Sequence, residues 1–491
     1  SMGEKRKRKD TVADVEEGDT VDISSKKKKK SGKKEKVDIF DEISQSSILN
    51  EDLILKLKNL LMDNRDEDST RDSLSLRASS LPFLCSLLSS YTATRLPLDS
   101  LILDCLTLLE SVYQVNLGVL SPLVFGERAR ENYNSLRTLG RFLHVKPSPD
   151  EVVQWLDPSQ VWRTAILGER KESRLLEETY DSSFVLRMLL TVVHPGSELS
   201  CRLFIQHNCL SLAFACTSNE SGSTRRLAFL LLQRFLSLLA ELKTDDFEEK
   251  SLYTYLIRLY KNSLEKENTR VSHIITHFLA RVAKLFLNPA HALYSPILAF
   301  LTLKPTMELN QVPELFKLLL SSSTDHFEDE ESWLLDLLSA AVIEQMDYAV
   351  LQNRSGVRLI QCLFSSCLSR MRTRKSCLAV LKACSLIPSA AFDLILRHNF
   401  TAWIAATIQR LSLTRWEVIY LGEVYSIAIE RARVFGRGRK GAETARNLAC
   451  ISYNAVANRL QGTEAVSYKL KMDARESLDR EWERKEEAME G

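Results

Sequence analysis

Glycine and proline are scarce in this chain, at 16 and 12 of 491 residues. A turn-rich β fold needs more of both, and alternating β-branched runs are nearly absent, so the chain reads as all-α. The ten cysteines contain no CxxC pair. They lie within or beside apolar runs, as at Cys105, Cys216 and Cys362, and read as reduced, mostly buried thiols of an intracellular protein. The sequons at Asn219, Asn353 and Asn399 then have no bearing. The N-terminus is charged rather than apolar, so no signal peptide is expected. No uninterrupted apolar run is long enough to cross a bilayer. No Ser/His/Asp, Cys/His or paired-carboxylate arrangement has a motif behind it, so no enzyme, cofactor or small-molecule substrate is expected.

Net charge is close to neutral, +2, but unevenly placed. Residues 1–36 hold 13 Lys or Arg against 8 Asp or Glu, a balance of +5, which leaves −3 for the rest. The body as a whole is therefore not a basic nucleic-acid binder, and any RNA contact must come from local patches or from the tail. Residues 1–46 lack periodicity and read as a disordered basic tail. Two clusters stand out there, Lys5, Arg6, Lys7, Arg8, Lys9 and Lys26, Lys27, Lys28, Lys29, Lys30. Separated by an acidic spacer, they read as a nuclear or nucleolar import signal that also attracts RNA phosphate.

What the chain does have is apolar helix, in abundance: 45% of it is hydrophobic. From Tyr180 to Trp403 one apolar helix follows another. Leu227 to Leu242 is apolar on nearly every face and must be covered on several sides. A stack of helices does this, each sandwiched by its neighbours. Breaks at His194-Pro195-Gly196, Thr244-Asp245, Asn288-Pro289, Tyr294-Ser295-Pro296, Lys304-Pro305 and Ile387-Pro388 come about once per helix. Asp181 or Ser182 can cap the Phe184 helix, and Ser197 is placed to cap the next. The pattern is that of an α-solenoid of HEAT- or armadillo-like helical pairs, although no strict repeat is visible.

Five segments follow. They are the tail at 1–46, helical hairpins at 47–125, a more polar connector at 126–178 that docks on the array, the main array at 179–430, and a basic Gly/Arg segment with charged helices at 431–491. Within the hairpins, Leu53, Leu57, Leu60 and Leu61 share a face, and an acidic, serine-containing break runs from Asp63 to Ser75. In the last segment Ala442 to Leu460 and Tyr468 to Met489 have helical patterns.

Three blocks carry a resemblance. Lys304 to Ser366 contains Lys304-Pro305, Val312-Pro313, the Trp333 helix with Leu334, Leu335, Leu337 and Leu338, then Asp347-Tyr348 and Arg354. Upstream lies Tyr180 to Ser218, and downstream Ile387 to Ile404. In this order the blocks resemble the C-terminal region of the nucleolar pre-ribosomal-associated protein 1 family, over a little under half of the chain. The resemblance implies a nucleolar scaffold for assembly of the large (60S) ribosomal subunit and maturation of its precursor RNA. It also implies partners: pre-ribosomal RNA, other helical nucleolar factors, a DEAD-box helicase and small nucleolar ribonucleoproteins. Family members are several times longer, so the chain is a fragment, a truncated product or a divergent short member.

The residues themselves offer few sites. Arg431, Arg433, Arg437, Arg439 and Lys440 crowd around Gly436, Gly438 and Gly441. A P-loop would need a Lys-Ser/Thr pair and a preceding strand, which are missing. Arginines on a glycine-bearing loop can instead reach phosphates and stack on bases, or simply be solvated. Arg370, Arg372, Arg374 and Lys375 form a second cluster that faces RNA, an acidic protein surface or solvent. His273 and His277 share a helix face but lack a third metal ligand, and are expected at a helix surface or groove. Trp333 heads a packing stripe. Asp347, Tyr348 and Arg354 are expected to fix a helix–helix turn, and the acidic run Phe327 to Glu331 to open a helix, where the dipole favours it. The competing reading is a HEAT-like adaptor in nuclear transport or chromatin that binds only protein.

Overall fold

The computed structural model describes residues 39–46, 49–65, 68–138, 147–168, 170, 175–243, 246–302, 304–313, 326–367, 369–410 and 412–460. Both basic clusters of the tail and the Tyr468 to Met489 pattern lie outside the described residues. Among the described residues there are 24 α-helices and no strand. The one β feature among the described residues is an isolated bridge between Thr94 and Tyr180.

The helices start where side chains can satisfy their first N–H groups. Asp181 accepts from Ser183 N and opens Ser182–Val192, as expected. The next cap is Ser200, which accepts from Leu203 N and opens Cys201–Gln206. Ser197 instead returns its hydroxyl to Val192 O, closing the preceding helix. Thr414 and Glu417 form a reciprocal capping box at the start of Arg415–Gly436. Glu328, Asp329 and Glu330 occupy the first turn of Phe327–Ala341, the dipole-favoured placement read from the sequence.

Three boundaries differ from expectation. The tail reading extended to 46, but Ile39–Gln45 is a helix, because Phe40 and Ile43 bury one face against Phe83. The acidic break at 63–75 contains the Asp68–Ala78 helix. Its polar composition hid an anchor: Ala78 is fully buried and Ser75 Oγ donates to Tyr113 O. The last segment was expected to begin at 431, yet Arg415–Gly436 is continuous through that point, so Arg431 and Arg433 are helical.

Helix packing follows chain order. Cys209–Ala215, His273–Leu285, Phe327–Ala341, Met371–Leu386 and Arg415–Gly436 pack each on the next. Beside them Pro388–Arg397 and Phe400–Ile408 pack on Ala442–Leu460. Side-chain hydrogen bonds between successive layers recur at similar sequence separations. Trp403 to Ser365 spans 38 residues, Lys382 to Glu423 spans 41, Arg234 to Leu190 spans 44, Tyr255 to Leu301 spans 46 and Arg270 to Ser218 spans 52. Each layer thus bonds mainly to its chain neighbours. The core lies between the rows. In Phe327–Ala341, Leu334, Leu337 and Leu338 are fully buried, each contributing about 1.5–3 kcal/mol of transfer free energy. Trp333 is only partly buried and meets Phe278 edge-on at 6.1 Å.

A few bonds reach further. Arg170 donates to the carbonyls of Ser339 and Ala340, 169 and 170 residues away, at the C-terminal end of Phe327–Ala341. The Lys284 ammonium sits 4.7 Å from the Trp162 ring. Among the described residues no single helix is long and apolar enough to cross a membrane.

Candidate nucleic-acid interface

The two arginine clusters have different surroundings. Met371–Leu386 begins one residue after Arg370, and its first turn faces the acidic first turn of Phe327–Ala341. Arg370 Nη1 lies 2.7 Å from Glu328 Oε1, and Arg372 Nη1 lies 3.5 Å from Asp329 Oδ1. Both pairs are exposed and contribute little to stability. Arg374 turns inward. Its Nε is 2.9 Å from Oε1 of Glu417, a carboxylate with no exposed side-chain surface. The other oxygen of Glu417 accepts from Thr414 N and Thr414 Oγ1. Arg374 thereby neutralises a buried charge that the capping box requires. Lys375 is exposed.

The second cluster lies where Arg415–Gly436 turns into Ala442–Leu460. The turn is closed by Arg439 N donating to Gly436 O and Ala442 N donating to Arg439 O. Gly438 and Gly441 have φ of +68° and +91°, the left-handed region that glycine enters without strain. Arg431, Arg437, Arg439 and Lys440 are exposed, and Arg433 is half-buried. The Arg439 guanidinium lies 4.0 Å from the centroid of Phe435, which in turn meets Phe392 at 5.8 Å. Arg437, Arg439 and Lys440 stand on this turn, and Arg431 and Arg433 on the helix that leads into it.

Behind this turn is a pocket of about 340 Å³, bounded by Pro388–Arg397, Arg415–Gly436 and Ala442–Leu460. Its floor is apolar, with Phe392, Ile395 and Ala432, and Arg433, Arg437, Arg439 and Arg446 stand around it. Small residues on facing helices leave the space. The sequence reading missed both the pocket and Arg446. The alanine spacing at 442, 445 and 449, one helix face, was the available signal.

The histidines are not at a surface. His273 and His277 are both buried, with rings 6.0 Å apart and near-perpendicular. For His273 the reason is Asp347, itself fully buried. One of its oxygens accepts from His273 N at 2.8 Å, and the other from His273 Nδ1 at 3.0 Å, Glu344 N at 2.9 Å and Ile343 N at 3.1 Å. It joins the starts of His273–Leu285 and Gln345–Gln352. Tyr348 donates to Asp393 at 2.8 Å, so it and Asp347 tie helices together, whereas Arg354 Nε, in the turn after Gln345–Gln352, donates to Gln311 in a loop at 2.7 Å. Burial, with His273, Arg281 and Arg170 nearby, pushes His277 well below the ordinary histidine range. Among the described residues no group of three or more His, Cys, Asp or Glu could hold a metal ion. All ten cysteines are free thiols; Cys362, Cys367 and Cys450 are exposed and the others buried.

A model of the nucleolar pre-ribosomal-associated protein 1 family matches residues 210–403. The chain resembles that family. The mouse nucleolar pre-ribosomal-associated protein 1 is 26% identical over 339 residues, 65% of this chain and 15% of the relative. The human protein of the same name is 25% identical over 338 residues, 65% of this chain and 14% of the relative. The chain thus spans about a seventh of the length of these relatives. No solved structure matches. The family-model match contains the Asp347 centre and the Arg370–Lys375 cluster and ends at residue 403.

Proposed function

We propose that this chain is a non-enzymatic nucleolar scaffold acting in assembly of the large (60S) ribosomal subunit and maturation of its precursor RNA. The observation that carries the reading is the match over residues 210–403 to a family named for nucleolar pre-ribosomal association. The layer-to-layer bonding at separations of 38 to 52 residues supports an α-solenoid of HEAT- or armadillo-like pairs. Such an array offers long flanks to other helical assembly factors, a DEAD-box helicase and small nucleolar ribonucleoproteins. The exposed cations Arg431, Arg437, Arg439 and Lys440 form its contact with pre-ribosomal RNA. Arg370, Arg372 and Arg374 face carboxylates of neighbouring helices and serve the array first. The two basic clusters of residues 5–9 and 26–30 act as the import address.

The test is in-cell localisation and RNA crosslinking of the tagged chain, with and without residues 1–36, beside an Arg437→Gln, Arg439→Gln, Lys440→Gln variant. Nucleolar signal, crosslinks to precursor ribosomal RNA at 431–440, and their loss in the variant are expected. A diffuse signal with no crosslinks would sink the reading and leave the protein-only adaptor. In vitro, three neutralised cations should flatten the dependence of log affinity on log salt by about 2–3 units of slope. An unchanged slope means these side chains do not touch phosphate.

A further inference from the structure

We infer that the pocket behind the arginine turn is a seat for one unpaired nucleotide, so that this end of the chain selects single-stranded RNA over duplex. The inference rests on the RNA-contact reading above and deepens it.

The size fits. A space of about 340 Å³ lies in the small-ligand range and suits a single base with its sugar. The chemistry of the lining fits as well. The floor is aromatic and aliphatic, from Phe392 and Ile395, and the cations around it are guanidinium ions rather than ammonium ions, with one carboxylate, Glu443, among them. Guanidinium is planar, stacks on aromatic faces and forks onto phosphate oxygens. A cation–π contact already exists at the rim, where Arg439 lies 4.0 Å from the Phe435 centroid. A base inserted beside it meets a flat cation and a flat ring, while Arg433, Arg437 and Arg446 surround its phosphate.

The pocket is also held open by residue size. A Cβ at Gly436 would come within 2.8 Å of the Phe392 ring, and one at Gly441 within 3.1 Å of Leu396. The turn is therefore already as close to Pro388–Arg397 as glycine permits, and the remaining volume comes from Ala432, Ala442, Ala445 and Ala449. A base in a duplex is stacked and paired and cannot enter such a space; an unstacked one can.

The experiment uses the full chain. Fluorescence anisotropy would be measured with a labelled 12-nucleotide single-stranded RNA and with the same RNA annealed to its complement. Two variants are compared: Ala442→Leu, which fills the pocket without changing charge, and Arg437→Gln with Arg439→Gln. The wild-type chain should bind the single strand about tenfold tighter than the duplex, the value of one stacked base. Ala442→Leu should abolish that preference and leave duplex affinity alone, whereas the arginine variant should weaken both. Photocrosslinking of the single strand should map to Phe392, which keeps the test open if Ala442→Leu fails to fold. Equal affinity for both RNAs, a preference that survives Ala442→Leu, or crosslinks that avoid Phe392 would overturn the pocket inference while sparing the phosphate contact. Failure to bind either RNA would defeat the RNA-contact reading itself.

Discussion

Replacing Asp347 with alanine should be among the most damaging single changes in the chain. Its carboxylate accepts from His273 N, His273 Nδ1, Ile343 N and Glu344 N, and all of it is buried. Alanine leaves three backbone N–H groups and one ring nitrogen without this acceptor. An orphaned buried donor costs about 1–3 kcal/mol, and water entering the vacated space recovers part of that. The loss of the box at the start of Gln345–Gln352 belongs to the same sum. A net cost of about 4 kcal/mol follows, in line with the ~3–5 kcal/mol for removing one partner of a buried polar pair. Asparagine keeps one oxygen but turns an amide donor toward N–H groups, so Asp347→Asn should lose about half as much. Because the two helices joined here belong to different layers, the assay should be local. Native-state hydrogen exchange should show protection falling roughly a thousandfold in both His273–Leu285 and Gln345–Gln352, the factor that ~4 kcal/mol corresponds to. A change below tenfold in either helix would refute the view that Asp347 holds them together.

Two further predictions concern the same region. Trp333→Ala should cost about 2 kcal/mol in urea unfolding, less than the ~3–5 kcal/mol of a fully enclosed tryptophan, because the ring is only partly buried; an unchanged unfolding midpoint would mean that the ring waits for a partner. His277 is held neutral, its affinity for a proton lowered by burial and by His273, Arg281 and Arg170. The unfolded chain then takes up a proton near pH 6.5 that the folded chain refuses, so stability is fully present above that pH and falls below it. The slope should approach about 1.4 kcal/mol per pH unit for this one group, and a His277→Phe variant should show a shallower slope between pH 6.5 and 5; equal slopes would clear His277 of that role.

Much of the helical layout was legible, because apolar periodicity and caps are local properties. Asp181, the acidic start of Phe327–Ala341 and the bounds of Ala442–Leu460 follow from a few adjacent residues. What was not legible depends on partners far away in sequence. His273 looked like a surface residue because nothing nearby explains its burial; its partner Asp347 lies 74 residues on. Arg374 looked like a member of a solvated cluster, and its partner Glu417 lies on the next helix layer. Asp68–Ala78 was hidden by polar side chains, since its anchor bonds to Tyr113. The pocket depends on the absence of side-chain bulk on facing helices, which no motif announces.

The reach of Arg170 sets a timetable. Layers that bond across some 45 residues can settle as soon as the next helix is made, but the acceptors of Arg170, Ser339 and Ala340, are synthesised 169 and 170 residues later. At about 5–20 residues per second that is a delay of roughly 10–30 s. Closing so long a loop costs only about 1 kcal/mol more than closing one of 45 residues, so the delay is kinetic and not thermodynamic. A newborn chain therefore carries an unfinished seam at its middle. The Arg170 clasp waits far longer for its acceptors than the layer-to-layer bonds do and, once made, closes that seam.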